Sequence, residues 1–511
     1  MLRLVSGLCS LGIAVAVVGL AGCGSDTDSA TVGTSTDRGS LLFEPPFRIA
    51  SLTAADFGAQ LAAQSAGASL LAVAGQPACG VDFYHVEYNT VGGAGEKTTA
   101  SGALLVPTGT AAGCSGPRPI VLYAHGTQTD KTANLADITN PNNAEGALIA
   151  AVFAAHGFIV VAPNYAGYDT STLSYHPFLN GDQQSKDMID ALAAARTALP
   201  HTASSATSDN GKLFVSGYSQ GGYVAMATHK ALQAAGVAVT ASAPMSGPYA
   251  LEAFGDAIFY GNVDLGSTVF GSMITSSYQH SYGNLYTSST QVFEAAYAAN
   301  VAAGILPSAT PLGTLFSTGK LPQTELFNST PPVTGNAQLD AVLAVPTNPL
   351  YALGFGPSNL ITNDYRLSYV LDAVNNPDGF VPTPRADLGF QPAAAPASTL
   401  RQDLKTNDLR NWTPQHPVLL CGGDQDPTVF YPVNTGAMQT FWSGLPAGLV
   451  TVLDVNATPN PASPFAPLQV GFQTTLAGLL ASGGQEAVVE SYHTTVAPFC
   501  TVAARGFFSQ F

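Results

Sequence analysis

Charged residues are scarce in this sequence, at 10% of its 511 positions against about 25% in an ordinary soluble domain. The few that occur lean to one sign: Lys+Arg 17 against Asp+Glu 33, a formal net charge of −16. A chain of that sign repels phosphate backbones and anionic head groups, and no basic patch offsets it, which argues against nucleic-acid binding. Cysteine is rare as well, with six residues and neither a CxxC nor an HxxxH spacing, so no zinc site is expected. No segment repeats at a solenoid or propeller period. What the chain does hold is apolar and turn-forming residues: 46% hydrophobic, with 52 Gly and 35 Pro. That is too apolar for a disordered or collagen-like chain and enough to bury a large core.

The first 22 residues read as a signal peptide. Met1 and Arg3 give a positive start, an apolar run follows over 11–20, and Leu20-Ala21-Gly22-Cys23 resembles the lipobox of a bacterial lipoprotein. In such a site the thiol is diacylated and the chain is cut before it. The run is shorter than the about 20 apolar residues a spanning helix needs, and an ordinary signal peptide that happens to carry a cysteine is the alternative. Residues 23–40 then form a lipidated Cys23 and a small, polar, flexible tether. The expected location is the cell envelope, on the extracellular face, held through a lipid anchor. Gly24 in place of the aspartate that retains many lipoproteins favours an outer membrane in a host with two. Cys79, Cys114, Cys421 and Cys500 remain, an even number in an exported chain, which favours disulfides with three pairings open.

Residues 41 to about 120 read as β-rich, with strand-like runs at 83–88 and 100–107 around a glycine turn at 92–95. Short buried apolar runs then alternate with helical stretches: strands at 119–124, 157–163 and 213–216, helices at 147–156, 186–198 and 223–235. That alternation predicts an α/β fold, a mostly parallel sheet covered by helices on both faces. It stops across 248–410, where helical patterns (291–303, 363–374) sit between Pro-, Gly- and Asn-rich loops. It resumes with a strand at 417–421, a further strand at 449–455, a helix at 473–481 and a last strand at 487–490. The organisation predicted is a first core segment at 41–247, an inserted helical cap at 248–410 and a second core segment at 411–511.

One pentapeptide carries chemistry: Gly217-Tyr218-Ser219-Gln220-Gly221. A serine that attacks an ester carbonyl must be lifted off the sheet on a strand-to-helix turn too tight for flanking side chains, and glycines two before and two after permit it. The motif is weak alone, since a glycine-rich turn with a solvent-facing serine reads the same way. Its context, an apolar strand before and a helix after, selects the nucleophile reading.

On GYSQGG (217–222), the YAHG strand end (123–126) and the last hundred residues, the sequence resembles the α/β-hydrolases, and more narrowly the secretory lipases of the lipase-A-like type with a large helical cap. The resemblance covers most of 75–511, with the cap matching only in position. It implies a triad in the chain order serine, acid, histidine. The family's G-x-x-D-x-x-V loop falls on Gly423, Asp426 and Val429, which makes Asp426 the acid and Asp424 its rival. His493, the only histidine after Asp426, is the base. The oxyanion would be held by the backbone N–H groups of Gln220 and of Thr127, or Gln128 in its place. His125 would shape that loop, and residues 164–169 would line an acyl pocket or form a packed turn. The same resemblance implies disulfides Cys79–Cys114 and Cys421–Cys500, the second tying the acid's strand to the segment behind the histidine.

The activity implied is a serine hydrolase cleaving carboxylic esters through an acyl-enzyme, with an apolar or aromatic ester as substrate and no cofactor. Phe254, Phe259, Phe270, Phe293, Phe316, Phe327 and Phe355 would line the cap's pocket or form its own core. Two other readings stand beside it. A peptidase of the prolyl-oligopeptidase kind uses the same triad, but such enzymes carry a long β-propeller for which 41–118 is too short. A catalytically inactive surface scaffold would be signalled by a replaced serine, acid or histidine, and all three are present.

Overall fold

The structure is a computed structural model that describes residues 31–32, 36–140 and 143–511; the leader, Cys23 and most of the tether lie outside the described residues. Strands β1 (Thr31–Val32) and β2 (Phe43–Glu44) form a two-residue antiparallel ladder. The other nine make one sheet: β3 (Phe47–Leu52), β4 (Gly80–Val91), β5 (Lys97–Thr108), β6 (Gly116–Ala124), β7 (Ile159–Pro163), β8 (Thr207–Tyr218), β9 (Ala241–Met245), β10 (Val418–Gly422) and β11 (Val450–Asp454). Their order is β11-β10-β9-β8-β6-β7-β5-β4-β3. From β7 to β11 every pairing is parallel, whereas β3, β4 and β5 run antiparallel at one edge.

Helices cover both faces. α1 (Ala54–Ala62), α2 (Ser65–Ala74), α3 (Ala144–Val152) and α15 (Ala466–Phe508) share one apolar core with the sheet. α4 (Gly181–Ala198) and α5 (Gln220–Ala234) share the other. The second core continues into helices between β9 and β10, namely α6 (Leu251–Phe259), α7 (Ser267–Tyr282), α8 (Ala295–Ala302), α9 (Leu312–Ser317), α10 (Ala337–Leu343), α12 (Asn363–Asn375) and α13 (Thr399–Thr406), while the short α11 (Pro349–Ala352) buries no residue. α14 (Thr435–Phe441) lies between β10 and β11. The parallel strands are buried on both faces, which explains their continuous apolar reading: from Ile120 to Ala124, β6 has no exposed residue.

Three expectations are corrected. The stretch 487–490 is not a strand but part of α15, which bends at Gly484, where φ is 71°. Three apolar residues and a glutamate have no period of their own, whereas Tyr492, Val496, Cys500, Ala503 and Phe507 bury a face at helical spacing. The segment before β4 is not purely β: α1 and α2 occupy 54–74, and Thr53 caps α1 by accepting the Asp56 N–H. The tether does not run free to residue 40. Arg38 makes a two-pronged bond to Asp190 on α4 at 3.0 and 3.1 Å, and Gly39 N–H donates to the Asn89 carbonyl.

Cysteines 79 and 114 are disulfide-bonded, as are 421 and 500. The second bond joins the end of β10 to the part of α15 that follows His493, across a sequence separation of 79. Closing a loop of that size contributes about 4 kcal/mol in the loop-entropy picture. Disulfides of this kind belong to an oxidising compartment, so the chain is exported. No helix among the described residues is long and apolar enough to cross a membrane.

Candidate active site

β8 ends at Tyr218 and α5 begins at Gln220, so Ser219 alone makes the turn. Its backbone is held at φ 59°, ψ −124°, a left-handed conformation rare for a residue with a side chain. The flanking glycines are required by close approach. A Cβ on Gly217 would stand 2.3 Å from the Gly221 carbonyl oxygen, and one on Gly221 would stand 2.0 Å from that of Ala124. The strain thus lifts the hydroxyl above the carboxyl ends of the parallel strands, where sheets of this type place their sites.

Ser219 Oγ lies 2.9 Å from His493 Nε2, and His493 Nδ1 lies 2.6 Å from Asp426 Oδ2. An ionised carboxylate only accepts, so Nδ1 carries the proton and Nε2 is left to accept from the serine hydroxyl. Asp426 is buried, and its other oxygen accepts the N–H groups of Thr428 and Val429 at 2.9 and 3.1 Å, which fixes its orientation. Asp424 turns outward: it is exposed and accepts from Asn456 Nδ2 at 2.7 Å. The Tyr218 hydroxyl donates to the His493 backbone carbonyl and holds the ring's own segment.

Thr127, Ser219 and Gln220 line one pocket, whereas the Gln128 carbonyl accepts from the Tyr168 hydroxyl at 2.6 Å. The Gln220 N–H is the first of α5 and has no intrahelical acceptor. Its side chain is tied down by His176, whose Nε2 lies 2.7 Å from Gln220 Nε2 and whose Nδ1 faces the Ala166 carbonyl at 3.0 Å. Burial lowers the pKa of that imidazole to about 3, so it stays neutral, donating from Nδ1 and accepting at Nε2. His125 is likewise buried and lowered to about 4, facing the carbonyls of Gly126 and Asn164, and so holds the loop. Residues 164–169 form a packed turn around buried Tyr165 and Tyr168.

Sequence reasoning missed Glu145, in the first turn of α3. Both its oxygens accept the Gly126 N–H at 3.1 Å, and one also accepts the Tyr123 hydroxyl at 2.8 Å. It thereby fixes the residue just before Thr127. Burial raises its pKa to about 7, against the pull of those hydrogen bonds. Nothing in the sequence near Glu145 signals this, because its partners come from β6 and the loop that follows it and not from its own helix. His176 was missed for the same reason.

The pocket above Ser219 has a cavity volume of about 110 Å³. Its roof comes from α6, α7, α12 and α13, and it takes Phe254, Phe259 and Phe270 among its walls. The remaining cap phenylalanines pack elsewhere: Phe293 and Phe327 are fully buried, and the Arg366 guanidinium lies 4.5 Å from the Phe327 ring centre and 4.9 Å from that of Phe355. The aromatics thus divide between pocket wall and cap core. No cluster of His, Cys, Asp and Glu that could hold a metal occurs among the described residues.

Residues 146–267 match the prolyl oligopeptidase family, a span that includes Ser219 and ends well before Asp426. Among solved structures, the rice cell wall degrading esterase LipA from Xanthomonas oryzae is 28% identical, with 93% of this chain and 100% of that one covered at a TM-score of 0.66. The fold is that of an α/β-hydrolase. The chain is a hydrolase of that fold, with the sheet, the strand-to-helix serine and the helical roof in one arrangement. A Legionella pneumophila protein, 17% identical over 91% of this chain and 96% of its own, shares the fold at a TM-score of 0.59. Comparison with curated protein sequences returns no match.

Proposed function

We propose that this hydrolase cleaves carboxylic esters, with Ser219 as nucleophile, His493 as base and Asp426 as the acid that orients it. The observation that carries the reading is the unbroken line of hydrogen bonds from Asp426 through His493 to Ser219, at the floor of an apolar pocket. Ser219 Oγ attacks the ester carbonyl carbon while its proton passes to His493 Nε2, and Asp426 stabilises the imidazolium that forms. The carbonyl oxygen becomes an oxyanion held by the N–H groups of Gln220 and Thr127; losing one such donor typically costs about 10²–10³ in turnover. Collapse expels the alcohol, which takes the proton back from His493. Water, deprotonated by the same histidine, then attacks the acyl-enzyme and restores the serine.

The match to the prolyl oligopeptidase family favours a second reading, amide hydrolysis. The matched span covers the nucleophile's surroundings, which ester and peptide hydrolases of this fold share, and the described chain before β4 holds two helices and short strands instead of a propeller. The esterase likeness extends over nearly the whole chain. A panel of p-nitrophenyl esters of increasing acyl length, run beside aminoacyl p-nitroanilides, separates the two. Turnover is expected on esters and not on anilides; the reverse pattern would overturn the ester reading.

Anchoring through Cys23 belongs to the same proposal. A chain of net charge −16 has no electrostatic route to a membrane, whereas more than one acyl chain binds stably. With Cys23→Ser, the protein is expected to move from the detergent-extracted membrane fraction to the soluble one. A variant that stays with the membranes like the wild type would dispose of the anchor.

A further inference from the structure

Asp264 stands in the wall of the apolar pocket, in the turn that leads into α7. It is 5% exposed. One carboxyl oxygen, Oδ1, accepts the hydroxyl proton of Ser267, itself buried and lining the same pocket. The other, Oδ2, is buried and has no hydrogen-bond partner. A polar atom left so is costly, and folded proteins rarely tolerate it without a role. The Asp264 turn is also seated on the acid's loop, where the Leu265 N–H donates to the Pro427 carbonyl at 3.1 Å. Burial, with a smaller push from the Asp426 charge, raises the Asp264 pKa to about 8 against the pull of Ser267. Near neutrality the carboxyl therefore keeps its proton, and since Oδ1 is taken, Oδ2 carries it as a donor without an acceptor.

We propose that Asp264 is a specificity-determining residue: its Oδ2–H donates to an ether, hydroxyl or carbonyl oxygen on the otherwise apolar chain of the bound ester. The inference rests on the ester reading above and narrows its substrate class. The enzyme is built for oxygen-bearing acyl chains and not for plain hydrocarbon ones. An apolar wall alone accepts an added methylene or an isosteric oxygen with little discrimination. A buried group that must be paired makes the plain chain leave a donor unsatisfied.

The test compares p-nitrophenyl octanoate with its analogues in which one methylene is replaced by oxygen at successive positions. In the wild type at least one oxygen-bearing ester is expected to match or exceed octanoate in kcat/KM. In Asp264→Leu the ratio of that ester to octanoate should fall about tenfold, the loss that one hydrogen bond of ordinary strength implies. Asp264→Asn, which retains an N–H donor, should keep the wild-type ratio. Turnover of octanoate with every oxygen-bearing ester inferior in the wild type would overturn the assignment without any variant, and so would an unchanged ratio in Asp264→Leu. If the leucine variant does not fold, Asp264→Ala gives the same comparison. Absence of turnover on every ester would instead remove the ester reading beneath it.

Discussion

Asp426→Asn is expected to lower ester turnover by about 10⁴-fold in a protein that still folds, and Asp424→Asn to leave most of it. The two side chains begin two residues apart and end in opposite surroundings. Asp426 is 4% exposed, with one oxygen on the N–H groups of Thr428 and Val429 and the other on His493. An asparagine can still accept both N–H bonds through its carbonyl oxygen, so the loop survives. Its amide would then face Nδ1 as a donor, and the imidazole would have to carry its proton on Nε2, where it cannot accept from Ser219. Asp424 meets only solvent, Asn456 and a neighbouring turn, so its loss affects stability by a fraction of a kilocalorie. Ser219→Ala and His493→Ala should match or exceed the loss at Asp426, because members of such a unit fail together. Steady-state rates on one p-nitrophenyl ester, with circular dichroism to confirm folding, check all four. Near-wild-type turnover in the Asp426 variant with loss in the Asp424 variant would reverse the roles, and activity surviving Ser219→Ala would end the serine-hydrolase reading.

What the sequence discloses about this molecule follows from how local each signal is. The parallel strands are legible because burial on both faces leaves a continuous apolar run, as at residues 120–124. Ser219 is legible because the turn that carries it can be made only with glycines on both sides. The helix at 487–490 was not, since three apolar residues and a glutamate fit either period and the deciding contacts, from Tyr492 to Phe507, lie further along. α1 and α2 were hidden among alanines and serines that give little amphipathic contrast, as α2 shows with three buried residues in ten. Glu145, His176 and Asp264 were invisible for another reason. Each owes its role to partners that only the fold brings near: Gly126 and Tyr123, Gln220, and the Pro427 turn with the pocket wall.

Arg401→Leu is expected to destabilise the protein by about 3–5 kcal/mol, the cost of leaving buried charges without their partner. The guanidinium has no exposure and sits where α6, α12 and α13 meet. It holds both oxygens of Asp256 at 2.8 and 2.9 Å, Asp372 at 3.0 Å and the Asn376 carbonyl at 2.9 Å, with Glu252 at 3.2 Å. Burial alone would weaken its charge, but the adjoining Asp256 carboxylate outweighs that and keeps the group cationic. Leucine removes the cation that pairs with three buried acids, so the acids must repel one another, take up protons or draw water in. Arg401→Lys keeps the charge without the two-pronged geometry and should fall between. Because α6 also supplies Leu251, Phe254, Ile258 and Phe259 to the pocket, the damage should reach substrate binding before chemistry, with KM rising more than kcat falls. Urea unfolding gives the first quantity. Hydrogen exchange gives its place in the fold: amides of α6, α12 and α13 should lose protection while those of β6 and β8 keep theirs. A midpoint unchanged from wild type, or protection lost evenly over sheet and cap, would mean that this buried cluster is not what holds the roof over Ser219.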